Sequence, residues 1–387
     1  MKFNCITGAT LAVLLVSLQL PVFSHGVIDW PNDAQIVCVA TANAVTPAQQ
    51  PIYDGVIPYL PVYSYFAVKT VLGRGVLPSE LTVAGYRPGW ISPTERSTST
   101  GEHYGYLSAF QPGTTYLLFL TKAPVFTGER FQDRAWRLAW RGSLVPVGAN
   151  IPIISPDDSI PLSIVKILTA QLNDPSPVIQ DDALSQLACY SPYLYDYNTY
   201  PSMIEWAPGR TPTMWDQNNV AAMLRNVVIP ELINKEKTAD ATSLIKIRTA
   251  LGFLQVPDVI PDLIKDVHPA TGLDEYSPDR ALSSYGVPSA IPFLAKGATN
   301  SNPDAAIACM RALSATRDVR SAGGLIQALL KSSDSKVRYQ ADVTLFDVTG
   351  QLDGNHYSAV EFIAHEKEVD QYWRDWAAKN KIDLSAL

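Results

Sequence analysis

The sequence predicts a multidomain β + α fold, with a small N-terminal β-barrel followed by an all-α solenoid of helix pairs. Three observations carry that expectation. Ala-Leu pairs recur at Ala250-Leu251, Ala281-Leu282 and Ala312-Leu313, 31 residues apart each time, and Thr344-Leu345 follows after 32. A fixed period of that size marks a repeat array rather than a conventional enzyme core. Before residue 150 the apolar pattern has instead the period of short strands, and the chain starts with an apolar run suited to export.

The domains read as follows: 1–24 a signal peptide, 25–150 the barrel, 151–160 a linker and 161–387 the solenoid, with an aromatic insert at 190–215 and a capping helix at 366–380. Lys2 gives the leader its basic start, and residues 9–20 are apolar apart from Thr10, Ser17 and Gln19. That run is short of the roughly 20 residues that span a bilayer, so cleavage after Ser24 is expected over a retained anchor. The mature chain is then secreted or periplasmic, with no membrane span.

Formal charge is -7, and loss of Lys2 with no acid makes it -8. A nucleic-acid surface would need clustered Lys and Arg, so nucleic acid is excluded as a partner class. Cys5 leaves with the leader. Cys38, Cys189 and Cys309 remain, an odd number that cannot all pair within the chain. Cys309 stands four residues before Leu313, on the same helix face, and is expected as a packed thiol. A Cys38–Cys189 bridge would need Cα atoms within about 7 Å.

In the first half, Tyr116, Leu118 and Leu120 alternate with Leu117, Phe119 and Thr121, which suits a central strand apolar on both faces. Trp136, Leu138 and Trp140 alternate with Arg137, Ala139 and Arg141, as in a strand with one wet face. Further strands are expected at 34–44, 63–72 and 80–84, separated by turn signals at Gly73, Gly85, Pro88-Gly89 and Pro112-Gly113. The segments IVCVATA (36–42), YFAVKTVLG (65–73) and GTTYLLFL (113–120) resemble the core of netrin-type domains, the family that includes tissue inhibitors of metalloproteinases. The resemblance implies an OB-like barrel. It does not carry protease inhibition, because Cys38 is single where that family uses an N-terminal Cys-x-Cys.

In the second half, helical spacing begins at 164–172 and 178–189, with Asp157-Asp158 placed to cap or start the first helix. Each regular unit then has two helices, the second carrying VIPDLI at 259–264 and AIPFLA at 290–295. Asp258 and Ser289, taken as N-caps, put Pro261 and Pro292 in the first turn, where no intrahelical N–H bond is lost. Ser277, Asn302 and Asp334 are expected to start helices, and Gly286 and Gly297 to end them. The segments DAAIACMRAL (304–313), GLIQALL (324–330) and DSKVRYQA (334–341) resemble HEAT repeats of the short type found in phycobilisome lyases. The resemblance implies stacked helix pairs with a concave binding face, and lyase activity does not follow from it. Tyr372, Trp373 and Trp376 are expected to close the end of the stack.

Between the first helices and the repeats, Tyr193, Tyr195, Tyr197, Tyr200, Trp206 and Trp215 form an aromatic insert. It reads either as a candidate loop for sugar or peptide, or as packing between domains. Catalytic templates fail. His365-Glu366 lacks the second zincin histidine because residue 369 is Val, Gly73-Arg74-Gly75 lacks the third glycine of a dinucleotide loop, and Glu102-His103 has no nucleophile beside it. The expectation is a non-enzymatic scaffold without cofactor or metal that binds an unidentified protein through the concave face. The alternative is a carbohydrate- or peptidoglycan-associated module that uses the insert.

Overall fold

The computed structural model describes residues 34–47, 52–54, 57–73, 75–88, 110–122, 135–139, 144–188, 190, 214–268, 276–351 and 357–382. Seven strands form one antiparallel sheet: β1 (Ile36–Pro47), β2 (Ile52–Asp54), β3 (Ile57–Val71), β4 (Glu80–Pro88), β5 (Thr115–Thr121), β6 (Arg137–Leu138) and β7 (Leu144–Val147). β1 is central, with β3 on one edge and β5 on the other. β3 carries β2 and β4, and β5 carries β6 and β7.

Register shifts after Val39 and Ala42 bulge β1 and bend the sheet. It curls into a half-barrel. Trp136 N donates to Thr82 O at 2.8 Å and Ala84 N donates to Trp136 O at 2.7 Å, so the segment entering β6 comes back to β4.

Alternation along the strands sorts the apolar residues onto two faces. Cys38, Ala40, Val62, Phe66, Leu81, Val83, Leu118 and Leu120 fill the inside of the curl. The edge-on ring pairs Phe66–Phe110 (4.7 Å) and Phe110–Tyr116 (5.2 Å) lie in the same cluster. Val37, Val39, Leu117, Phe119, Val145 and Val147 belong instead to a continuous cluster that runs on into the helices. β5 is therefore buried on both faces, as its sequence predicts. β6 is not the half-wet strand expected from Arg137. That side chain is buried, and its guanidinium donates to Ala135 O at 2.8 Å. Trp140 and Arg141 lie outside the described residues.

The helical region begins with α1 (Ile160–Gln171), α2 (Pro177–Ala188), α3 (Met214–Met223) and α4 (Ile229–Glu236). It continues with α5 (Ala241–Phe253), α6 (Ile260–Asp266), α7 (Pro278–Ser283), α8 (Ile291–Gly297) and α9 (Pro303–Thr316). α10 (Ala322–Lys331), α11 (Ser335–Thr349) and α12 (Ala359–Lys379) complete it. From α5 onward two rows are recognisable: α5, α7, α9 and α11 pack in succession, and so do α6, α8, α10 and α12. The 31-residue ladder is the seam of the first row. Ala250, Ala281, Ala312 and Thr344 are buried, as are Leu251, Leu282, Leu313 and Leu345.

Side-chain caps open α1, α5, α9, α11 and α12, though not always through the expected residue. Asn302 Oδ1 accepts from the backbone N–H of Asp304 and Ala305, and Asp334 Oδ1 from Lys336 and Val337. Asp258 and Ser289 do not cap. A 3₁₀ turn precedes α6 and α8, opened by Pro257 and Pro288 after the extended residues Val256 and Val287. Pro261 and Pro292 then occupy the second position of each α-helix, where a missing N–H costs nothing. Likewise Ser159, not Asp157 or Asp158, caps α1 by accepting from Leu162 N at 3.3 Å.

Gly286 lies beyond the end of α7, and its N–H donates to Gln255 Oε1 at 2.8 Å. Gly297 is the last residue of α8, and its need for glycine is steric. A Cβ there would meet Cys309 Sγ at 2.5 Å and Ile264 Cδ1 at 2.7 Å. Cys309 and Cys38 are both buried free thiols, and burial pushes each up to about 12. Cys189 lies outside the described residues.

α12 starts earlier than expected, at a capping box in which Ser358 Oγ accepts from Glu361 N while the Glu361 carboxylate accepts from Ser358 N. Trp373 is buried against α11, and its Nε1 donates to Asp342 Oδ1 at 2.6 Å. Among the described residues no helix is long and apolar enough to cross a membrane.

Candidate binding groove

The aromatic insert falls mostly beyond view. Tyr193, Tyr195, Tyr197, Tyr200 and Trp206 lie outside the described residues, and Trp215 lies in the first turn of α3. The zincin-like pair is occupied structurally. His365 stacks on Tyr357 at 4.3 Å and contacts Glu368 at 3.1 Å, while Glu366 faces Arg338 at 3.6 Å. Gly73 has φ +68° and forms a turn after β3. Among the described residues no group of three or more His, Cys, Asp or Glu is placed to hold a metal ion.

An open groove of about 340 Å³ lies instead where the sheet hands over to the helices. Pro152, α1 and the α3–α4 segment form its walls. Pro152, Ala170, Met223 and Val227 supply apolar surface, and Lys166, Thr169, Asn173 and Glu231 supply polar groups.

The Pro152 wall is positioned by Gln171. This buried amide accepts from Gly148 N at 2.6 Å and donates to Asn150 O at 2.9 Å, which ties the exit of β7 to the end of α1. Asp174 packs so closely that a methyl group on Gly148 would overlap its carboxylate. The residues leading into the stretch expected to be a linker, Leu144–Val147, form β7, and Gly148 and Asn150 after them are tied to α1.

The opposite wall depends on Pro230. Proline inside a helical run has no N–H to give to the carbonyl four residues earlier, and its ring crowds that carbonyl. The chain responds with a π turn over Leu224–Val228, in which Ile229 N donates to Leu224 O. Leu224 and Val228 remain buried, while Arg225, Asn226 and Val227 turn outward. Val227 is 43% exposed.

Two polar contacts set the rim. Lys166 Nζ lies 2.7 Å from Asp158 Oδ2, and Asn173 Nδ2 donates to Glu231 Oε1 at 3.1 Å, linking α1 to α4. No protein-family model matches the chain, and no curated protein matches it in sequence.

Among the described residues, those that line the groove place no nucleophile next to a base. Its chemistry is that of contact: an apolar floor, flanked by one ammonium and one carboxylate that are already oriented. Sequence patterns single out none of its residues. Pro230 within the run 214–236 is the available signal, because a proline that far from any helix start forces a local irregularity.

Proposed function

We propose that the protein is a non-enzymatic scaffold, exported from the cytoplasm, that binds another protein through a HEAT-like helical array capped by an OB-like barrel. The observation that carries this reading is the pair of helix rows joined by the 31-residue Ala-Leu ladder. Arrays of that kind present long continuous surfaces and tolerate local irregularity, and their uses are predominantly in protein contact. The groove beside the π turn is where we place the partner's anchoring contact, because there an exposed Val227 stands beside fixed polar groups, and the fully exposed Ile153 follows Pro152 of the wall.

The test is affinity capture with the full mature chain from its native extracellular fraction, run in parallel with Val227→Asp and Ile153→Asp. A scaffold of this type retains a specific set of proteins that both variants lose while remaining folded. Identical recoveries from all three chains would remove the groove from the reading. Absence of any specific protein from the wild type would remove the reading itself. Export is checked separately by N-terminal sequencing of the mature chain, with His25 expected as its first residue.

A glycan-binding alternative has one structural point in its favour. Trp215 stands in α3, the helix that leads into the π turn beside the groove. Glycan-array screening of wild type, Tyr195→Ala and Trp206→Ala decides it, since binding that neither substitution alters would exclude the insert.

A further inference from the structure

The outer face of the terminal helix α12 points to an interface with a second copy of this chain. α12 is the last described member of its row, and among the described residues no further helix packs on its far side. Val360 is 83% and Ile363 62% exposed there, although Phe362, Val369, Trp373 and Ala377 on the near side are buried.

The charges on that outer face are sorted. With about 100° per residue, positions seven apart fall nearly in line. Lys367 and Arg374 lie along one side of the exposed face, and Glu361, Glu368 and Asp375 lie along the other. Between the two sides run Ala364, Gln371 and Ala378, all exposed. The acids have local partners: Glu361 binds Ser358, Glu368 contacts His365, and Asp375 accepts from Gln371 at 2.8 Å. Among the described residues, neither Lys367 nor Arg374 has an ion-pair partner. Lys379, in the last turn, stands on the acidic side beyond Asp375.

We propose that two chains associate through α12 in a parallel, two-fold arrangement. In that geometry the basic side of each helix faces the acidic side of the other, so Lys367 meets Glu368 and Arg374 meets Asp375 of the second copy, each twice. An antiparallel pairing would set like side against like side and is disfavoured by the same charges. The small residues of the seam permit close approach, and Val360 and Ile363 are withdrawn from water. A two-fold contact is closed, so it gives dimers rather than fibres. The outer face of the sheet already packs on the first helices, so among the described residues α12 is the member of the helix rows with an uncovered face. A single helix pair buries less than the roughly 1,600 Å² of a standard interface, so the dimer is expected to be weak and salt-sensitive. Dimerisation would duplicate every other binding surface and raise avidity for a repetitive partner.

Sedimentation velocity of the full mature chain, over a concentration series at low and high salt, tests this. The wild type is expected to form dimers that dissociate at high salt. The double variant Lys367→Glu with Arg374→Glu should be monomeric, and so should Glu368→Lys with Asp375→Lys, while an equimolar mixture of the two restores dimers. All four positions are exposed, and circular dichroism verifies that folding is intact. Ala364→Cys fixes orientation, because parallel helices place the two copies of residue 364 together and oxidation should give a cross-linked dimer. A wild type that stays monomeric throughout overturns the proposal. So does a mixture that fails to associate, or an Ala364→Cys chain no more cross-linked than the unmodified protein.

Discussion

The helical region contains two stretches that use the same kinds of residue to opposite effect. From α5 to α11 several polar side chains join one helix pair to the next. The Gln255 amide donates to Ser284 O at 3.1 Å and accepts from Gly286 N, Tyr285 OH donates to Val256 O at 2.7 Å, and Asn302 Nδ2 donates to Val267 O at 2.9 Å. Between residue 148 and α4 the polar groups fix walls instead, and the space between those walls is left open. The difference teaches where recognition can sit. In the two helix rows each helix is covered by its neighbour, whereas at Pro230 and at the β7 exit, among the described residues, surface is left open.

The largest contrast should come from truncating one apolar side chain in each stretch. Leu313→Ala, in the ladder, is expected to lose about 2–5 kcal/mol of stability, because the packed helices around it cannot collapse into the space. Val227→Ala in the groove should stay within roughly 0.5 kcal/mol, since the side chain is already half in water. Urea titration of both measures the pair. Equal losses would erase the distinction drawn between the two stretches.

Overpacking comes next. Gly148→Ala and Gly297→Ala should each cost about 1–3 kcal/mol, the first through Asp174 and the second through Cys309 and Ile264. Hydrogen exchange locates the damage. The first variant is expected to loosen β7 and the end of α1, the second α8 and α9, and a reversal of that pattern would contradict the packing described. Gln255→Ala removes a single link between neighbouring units, leaves the buried Gly286 N–H without its acceptor, and is expected to cost about 1–3 kcal/mol.

The smallest effect is electrostatic. Hydrogen bonds from the Arg320 side chain, and then from its backbone N–H, hold the Asp318 carboxyl below the usual carboxylate range. A carboxylate whose folded pKa is depressed contributes stability that is present above its unfolded pKa and is lost as pH falls through the folded value. Asp318→Asn should therefore be less stable than wild type at pH 6, with the gap closing as pH falls below about 4, the unfolded range of Asp. Unfolding curves at several pH values would show this, and a gap that widens on acidification would reverse the assignment.

The ladder was legible because burial and period are the same signal: a residue repeated every 31 positions faces the same neighbour each time. β5 was legible for a related reason, since seven consecutive residues with little polarity leave no face for water. The groove was not legible. Its walls are set by contacts across long separations, such as Gln171 to Gly148 and Asn173 to Glu231, and spacing cannot report those. Pro230, within the run 214–236, is a signal of irregularity that does not give its form. Errors of detail had local causes: Asp258 and Ser289 have the composition of caps, but Pro257 and Pro288 open the turn first, and Arg137 has the look of a wet face until Ala135 O is found beside its guanidinium.

Site-specific photocrosslinking tests the central claim most directly, because it captures whatever protein touches the chosen position. A photoreactive residue is placed at position 227 in the groove or at position 319 in the array. Val227 and Val319 are comparably exposed, at 43% and 51%, so accessibility does not bias the comparison. Illumination of producing cultures should give a discrete adduct from position 227 and none from position 319. An adduct from 319 alone, or from neither, would contradict recognition at the break in the repeat.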